Sequence, residues 1–130
     1  MAKMLVDHAL AYGWDETYGG FYQDGITFGN PDSRLKEWWV EMEGLNSLLL
    51  MHEKYGNQTD VYFKAFQRQW QYIKNYQRDS EFHGIYEMVG ADGVAVNPNK
   101  GRIWKAAYHD GRALLNVNAR LQKLADASRQ

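Results

Sequence analysis

The chain contains no cysteine among its 130 residues, which excludes disulfides and thiolate metal sites. It also lacks any run of like charge. Fifteen basic and 16 acidic residues are spread along it for a formal net charge of −1. Nucleic acid, whose phosphates demand a basic footprint, is therefore not an expected partner. No apolar run approaches the ~18 residues a membrane span needs. Met1-Ala2-Lys3-Met4-Leu5-Val6 reaches Asp7 and His8 too soon for the apolar core of a signal peptide. These absences leave one soluble domain over 1–130, cytoplasmic by default, with no membrane or nucleic-acid partner and a modest core.

What the chain has in excess is aromatic rings: five Trp, nine Tyr and five Phe, 15% of all residues. Most belong in a core or an oligomer interface. In a polar-lined cleft, such rings stack on the apolar faces of ligands.

The spacing of apolar residues predicts four helices. The first runs from about 3 to 12 and stops at Gly13. A second, from about 34 to 55, is capped by Asp32 or Ser33, carries Trp38, Met42, Leu45, Leu49 and His52 on one stripe, and ends at Gly56. The third runs from a Thr59 or Asp60 cap to about 77, with Tyr62, Phe66, Trp70 and Ile73 as its stripe. The last opens at Trp104. On it His109, Arg112, Ala113 and Asn116 share a face, and Ala107, Leu114, Val117, Leu121 and Leu124 form an apolar stripe opposite. Two turn-rich stretches separate these helices and predict short β-ribbons at Gly19–Gly25 and Gly84–Gly93.

Those two stretches repeat. Asp15-x-x-x-Gly19-Gly20-Phe21-Tyr22 matches Asp79-x-x-x-His83-Gly84-Ile85-Tyr86, and each has a later Asp-Gly and an Asn-Pro loop. Each then leads to a tryptophan, Trp38 or Trp104. A helix–hairpin–helix unit used nearly twice predicts stacked helical hairpins of a repeat or toroidal architecture. Aligning the two tryptophans sets Glu43 opposite His109, so neighbouring inner helices present ionisable groups at one depth.

A histidine near its ordinary pKa takes or gives a proton at neutral pH, and a carboxylate beside it can orient the ring or bind hydroxyls. Trp39 and Trp104 suit the C–H face of a sugar; Lys105 and Arg112 suit its oxygens. This describes a polyol or sugar site; the competing description is a solvated helix surface. The other histidines read as structural: His8 before the first turn, His52 on an apolar stripe as a hydrogen-bonded core residue, His83 in a turn. Four scattered histidines make no metal site, and Gly19-Gly20 fits no phosphate loop, so neither metal nor cofactor is expected. Glu37, Glu41 and Glu43 straddle two helix faces, Glu37 on a solvated edge.

The run Lys36-x-Trp38-Trp39-Val40-x-x-Glu43, the Gly13-Trp14-Asp15…Gly19-Gly20 turn and Trp104-Lys105-x-x-Tyr108-His109-x-x-Arg112-Ala113 together resemble the N-acylglucosamine 2-epimerase and cellobiose 2-epimerase family. The resemblance is collinear over the chain and covers about the last third of such an enzyme. It implies an (α/α)6 barrel, here partial, and inversion at C2 of an open-chain aldose by an acid/base pair of histidines. His109 matches the C-terminal histidine, Trp104 an indole that packs on the sugar, and Trp39 and Glu43 the lining. The helix carrying the other histidine, in a His-x-x-Glu setting, and an upstream arginine have no counterpart. Glu41 stands where cellobiose epimerases tend to have glutamine.

The expectation is therefore an all-α partial toroid with two short β-hairpin turns. Its function is that of a carbohydrate-binding remnant of a sugar 2-epimerase scaffold. The alternative is an epimerase or isomerase with His109 as acid/base and Trp39, Glu43, Trp104 and Arg112 as the sugar surround, completed by another chain. Large apolar stripes on open flanks predict a homo-oligomer, with a closed two-fold dimer as the simplest form.

Overall fold

The computed structural model describes residues 1–129. Helix α1 spans Ala2–Tyr12, α2 Trp38–Tyr55, α3 Val61–Tyr72 and α4 Tyr108–Ala127; α3 runs on as a π-helical turn, Ile73–Gln77. Three short strands, β1 (Leu35–Glu37), β2 (Met88–Gly90) and β3 (Ala95–Asn97), form one antiparallel sheet in the order β1-β2-β3. Among the described residues no helix is long and apolar enough to cross a membrane.

Helix α2 is the centre, packed against α3, α4 and, more lightly, α1. It contributes Met42, Leu45, Leu48, Leu49 and Met51 to a core completed by Tyr62, Phe66, Tyr72, Ile73, Val89, Ala113 and Val117. The stripes expected on α2 and α3 are largely as read, apart from Trp70, which lies at the surface.

Several expectations are corrected. Helix α2 starts at Trp38, not near 34, because Leu35–Glu37 pairs with β2: Leu35 opposite Gly90, Lys36 opposite Val89, Glu37 opposite Met88. Ser33 makes no helix cap; its Oγ accepts the Leu35 N–H at 3.1 Å in a local turn. The first donor of α2 is met instead by tertiary structure, Trp38 N–H to the Glu87 carbonyl at 2.9 Å. Residues 19–25 contain no strand, only an isolated Trp14–Phe21 bridge at their start, and the second ribbon closes later than expected, through 88–97. The fold is thus mostly helical with a small sheet, not all-α. Helix α4 begins at Tyr108, leaving Trp104 in the preceding loop. The face of α4 that packs inward is that of His109, Ala113 and Val117, whereas Ala107, Leu114 and Leu121 of the expected apolar stripe are exposed.

The repeat is present in three dimensions. Asp15 Oδ1 accepts the Thr17 and Tyr18 N–H groups at 2.8 and 3.1 Å, and Asp79 Oδ1 accepts those of Glu81 and Phe82 at 2.9 and 3.0 Å. Gly19 and Gly20 have φ of 81° and 88°, and His83 and Gly84 have 62° and 82°, so His83 is a turn residue in a left-handed conformation. Asp15 Oδ2 binds Lys36 Nζ, and Asp79 Oδ2 binds Lys100 Nζ, both at 2.7 Å. Even the strand-like bonds repeat: Gln23 N–H to Leu35 O, and Glu87 N–H to Asn99 O.

The first copy lies in the interior. Lys36 is fully buried, donating to Asp15 and, at 2.5 Å, to the Gly19 carbonyl, with Nζ 3.8 Å from the Tyr72 ring centroid. Beside it Glu41 is also fully buried. Its Oε1 accepts the Phe21 N–H at 2.9 Å, while Oε2 has no partner among the described residues. A Cβ on Gly20 would stand 2.6 Å from that oxygen, so glycine is required there. Burial opposes ionisation of Asp15, but Lys36 and the two amides hold its carboxyl below the usual range. Burial pushes the Lys36 ammonium down, against the pull of Asp15 and Glu41, and the Glu41 carboxyl up to about 8, against the pull of Lys36. At neutral pH Glu41 is therefore protonated beside an Asp15–Lys36 pair that cancels its own charge.

An unfolded glutamate titrates near 4.5, so between that value and about 8 the folded state holds the extra proton. The contribution of Glu41 to stability is full below about pH 4.5 and declines as pH rises through about 8, by up to about 1.4 kcal/mol per pH unit. Glu41→Gln keeps the carbonyl that accepts from Phe21 and removes the titration. Urea midpoints from pH 5 to 9 are expected to show the variant gaining on the parent as pH rises; parallel profiles would contradict it.

Candidate active site

Helices α2 and α4 lie side by side, and the first turn of α4 meets the second turn of α2. There Glu43 Oε1 bonds His109 Nδ1 at 2.8 Å, across 66 residues of sequence, and also pairs with Arg112. Burial opposes an ionised Glu43, but the hydrogen bonds from Arg112 and His109 more than offset it and hold the carboxyl below the usual glutamate range. An ionised carboxylate only accepts hydrogen bonds. In the neutral ring Nδ1 therefore carries the proton and Nε2 is left with a free lone pair. A base of fixed tautomer is the chemical product of this contact.

Aromatic rings surround the imidazole. Trp39 lies 6.0 Å from it at 42°, Trp38 6.3 Å at 77°, and Tyr108 5.0 Å at 77°. Trp38 is buried, but Trp39 is half exposed, so the site opens on the Trp39 side. Trp39 and Glu43 also line a cavity of about 290 Å³ that continues between α1 and α2 past Val6, Ala9, Val40 and Leu48. The Arg112 guanidinium lies 5.0 Å above the Tyr108 ring.

Of the residues expected at a site, the fold brings together His109, Glu43, Arg112 and Trp39. It does not bring Trp104, whose indole is exposed in the loop before α4 because the helix starts four residues after it. Lys105 is not free to bind a ligand: it is buried, with Nζ 3.4 Å from Asp110 Oδ2 and 5.1 Å from the Trp38 ring centroid. Sequence reasoning missed Asp110, whose buried Oδ1 has no partner among the described residues, and Trp38, whose Nε1 likewise has none there. The signal for Asp110 was its place beside His109 on the turn that carries Lys105; Trp38 read only as core.

The remaining histidines are elsewhere. His8 packs on Tyr12 and Phe28, and His52 packs on Phe63 at 4.7 Å, its Nδ1 buried with no partner among the described residues. No three His, Cys, Asp or Glu side chains among the described residues are grouped to hold a metal ion.

A family profile for N-acylglucosamine 2-epimerase (GlcNAc 2-epimerase) matches residues 1–112. The cellobiose 2-epimerase of Dictyoglomus turgidum (strain DSM 6724 / Z-1310) is 29% identical over 85 residues, 65% of this chain and 21% of that protein. The cellobiose 2-epimerase of Eubacterium cellulosolvens is 33% identical over 81 residues, 62% of this chain and 20% of that protein. The chain thus spans about a fifth of the length of these relatives. Among solved structures, a D-mannose isomerase superposes with a TM-score of 0.80 at 24% identity over 90% of this chain and 29% of its own. The cellobiose 2-epimerase of Spirochaeta thermophila DSM 6192 gives 0.72 at 24% identity over 95% and 29%. At these identities the likeness is one of fold.

The tautomer of His109 is directly measurable. Long-range ¹H–¹⁵N spectra of the neutral ring are expected to show Nδ1 protonated and Nε2 bare, and Glu43→Gln, whose amide can also donate, is expected to lose that preference. A bare Nδ1 in the parent chain would overturn the assignment.

Proposed function

The chain belongs to the N-acylglucosamine 2-epimerase family, and from that premise we propose that it supplies one half of a sugar 2-epimerase or isomerase site, on a partial α/α toroid. The bridging of His109 and Arg112 by Glu43 carries this reading, because it produces an oriented base beside an open indole. An open-chain aldose would lie with a C–H face on Trp39, and Trp104, exposed next to the same helix end, would close over it.

The hydrogen at C2 of such a sugar is acidified by the adjacent carbonyl. His109 Nε2 takes it, the C2–H electron pair moves into the C1–C2 bond, and the carbonyl oxygen becomes an enediolate. Glu43 stabilises the imidazolium so formed. Return of the proton to C2 on the same face gives exchange. Return to C1, with the C2 hydroxyl proton passing to O1, gives a ketose. Inversion at C2 needs a donor on the opposite face, and His109 is the one imidazole at this site. Further hairpins of the fold would have to provide the second.

That last point favours a second reading, in which the scaffold holds carbohydrate without reacting. Mannose, N-acetylmannosamine or cellobiose in D₂O separates the two. The expected outcome is deuterium at C2, reduced about 10²-fold or more in His109→Ala, and binding weakened about two- to tenfold in Trp39→Ala. Retained binding with no exchange at high protein concentration would leave only the carbohydrate-binding reading.

A further inference from the structure

The first turn of α4 carries His109, yet its local sequence favours fraying. Ala107, at the N-cap, has no side-chain oxygen with which to cap it. Gly111, a poor helix former, sits in the same turn, whose closing bond runs from the Gly111 N–H to the Ala107 carbonyl at 2.8 Å. The imidazole needs a fixed place, because its Nδ1 lies 2.8 Å from Glu43 Oε1 on another helix. Something other than a cap therefore holds this turn.

Lys105 stands where such a hold is needed. It is buried, with Nζ 3.4 Å from Oδ2 of Asp110, one residue past His109, and 5.1 Å from the centroid of the Trp38 ring. Asp110 is the third residue of α4, and Trp38 is the first of α2. The ammonium thus bears on the starts of the two helices that supply His109 and Glu43. Trp38 in turn meets the His109 ring edge-on, with centroids 6.3 Å apart. A closed circuit of contacts keeps Lys105 in place. Its carbonyl accepts the Arg102 N–H at 3.2 Å, Arg102 Nε donates to both oxygens of buried Glu87 at 2.7 Å, and the Glu87 carbonyl accepts the Trp38 N–H at 2.9 Å.

The charge of Lys105 matters here more than its bulk. The ammonium has one hydrogen-bond partner among the described residues, at the long limit of such a bond. A buried cation met so sparsely adds little to global stability, and a neutral chain of the same length would fill the space. What the charge supplies is direction: it draws the Asp110 carboxylate and the electron-rich face of Trp38 to one point. That carboxylate lies in the first turn, where negative charge also suits the helix dipole.

We propose that Lys105 is a positioning residue for His109: it ties the first turn of α4 to the start of α2 and so holds the imidazole against Glu43. It acts through Asp110 and Trp38 and makes no hydrogen bond to His109 or Glu43 itself. It also tethers the loop at the residue next to Trp104. The consequence for turnover rests on the sugar chemistry proposed above; the positioning does not.

Lys105→Met keeps the length of the side chain and removes its charge. The Asp110 side chain is 25% exposed, so water can meet it once the lysine is gone. Asp110→Asn removes the partner's charge instead, and carries the test should Lys105→Met fail to fold. In both variants the Gly111 amide is expected to exchange with D₂O about five- to tenfold faster than in the parent, and the Nδ1–H preference of His109 in long-range ¹H–¹⁵N spectra is expected to weaken. In Lys105→Met the amides of α4 beyond Val117 are expected to keep their parent rates, with the urea midpoint little changed. Where the parent exchanges C2 deuterium, both variants are expected to lose about tenfold in kcat at unchanged KM. A parent that exchanges none fails the sugar reading alone, and the amide and tautomer measurements still decide the positioning. Parent-like Gly111 exchange or a parent-like tautomer in the folded variants would overturn the proposal. So would equal acceleration at every α4 amide of Lys105→Met, which would mark a general loss of stability.

Discussion

The structure depends on the burial of one lysine. An unpaired ammonium in the interior is prohibitively costly, so Lys36 is tolerated only where its three donors and its charge are met. Asp15, the Gly19 carbonyl and the Tyr72 face meet them, and each imposes something. Asp15 is held by the turn whose amides it caps, so the turn is fixed relative to β1. Tyr72 comes from the end of α3, so α3 is fixed as well. Extended backbone at Lys36 keeps Leu35–Glu37 in the sheet and defers the start of α2 to Trp38. That start point sets the register of the helix and thereby puts Glu43 one turn in, at the depth of His109. A change at Lys36 therefore acts on the candidate site without touching it.

The same reasoning explains what the sequence could and could not show. The paired turns were legible because their chemistry is local: Asp with a glycine or histidine at positive φ is a pattern of adjacent residues. The Glu43–His109 contact was legible because a repeat converts sequence offset into spatial register. The strand at 35–37 was hidden because the residues that make it are 51 to 55 positions away in β2, and a Leu-Lys-Glu-Trp-Trp run carries helical propensity as well as any other signal. The late start of α4 was hidden for a related reason. Two extra residues between Lys100 and Trp104, compared with Lys36 and Trp38, lengthen the second loop, so the tryptophan that begins one helix falls short of the other. Burial of Lys105 against Trp38 and Asp110 follows from that longer loop, which no periodicity describes.

Repetition also explains why chemistry is found between α2 and α4. Glu43 and His109 occupy equivalent positions of the two units, so an undiverged repeat would place two identical side chains in contact. Two carboxylates there would share a proton and repel. Two neutral imidazoles would leave neither tautomer preferred. Divergence to one carboxylate and one imidazole gives an acceptor that fixes a donor, and Arg112, one turn further on α4, keeps that acceptor ionised. The second unit contributes the guanidinium and the imidazole, the first the carboxylate and the open indole. The site therefore belongs to neither unit but to their junction, and its geometry persists only as long as the packing of α4 on α2 does. That packing is supported away from the site by the Arg120–Glu53 pair and by Ala113 and Val117 against the α2 core. A substitution that separates the two helices at Val117, two turns from His109, would disturb the base as surely as one at Glu43.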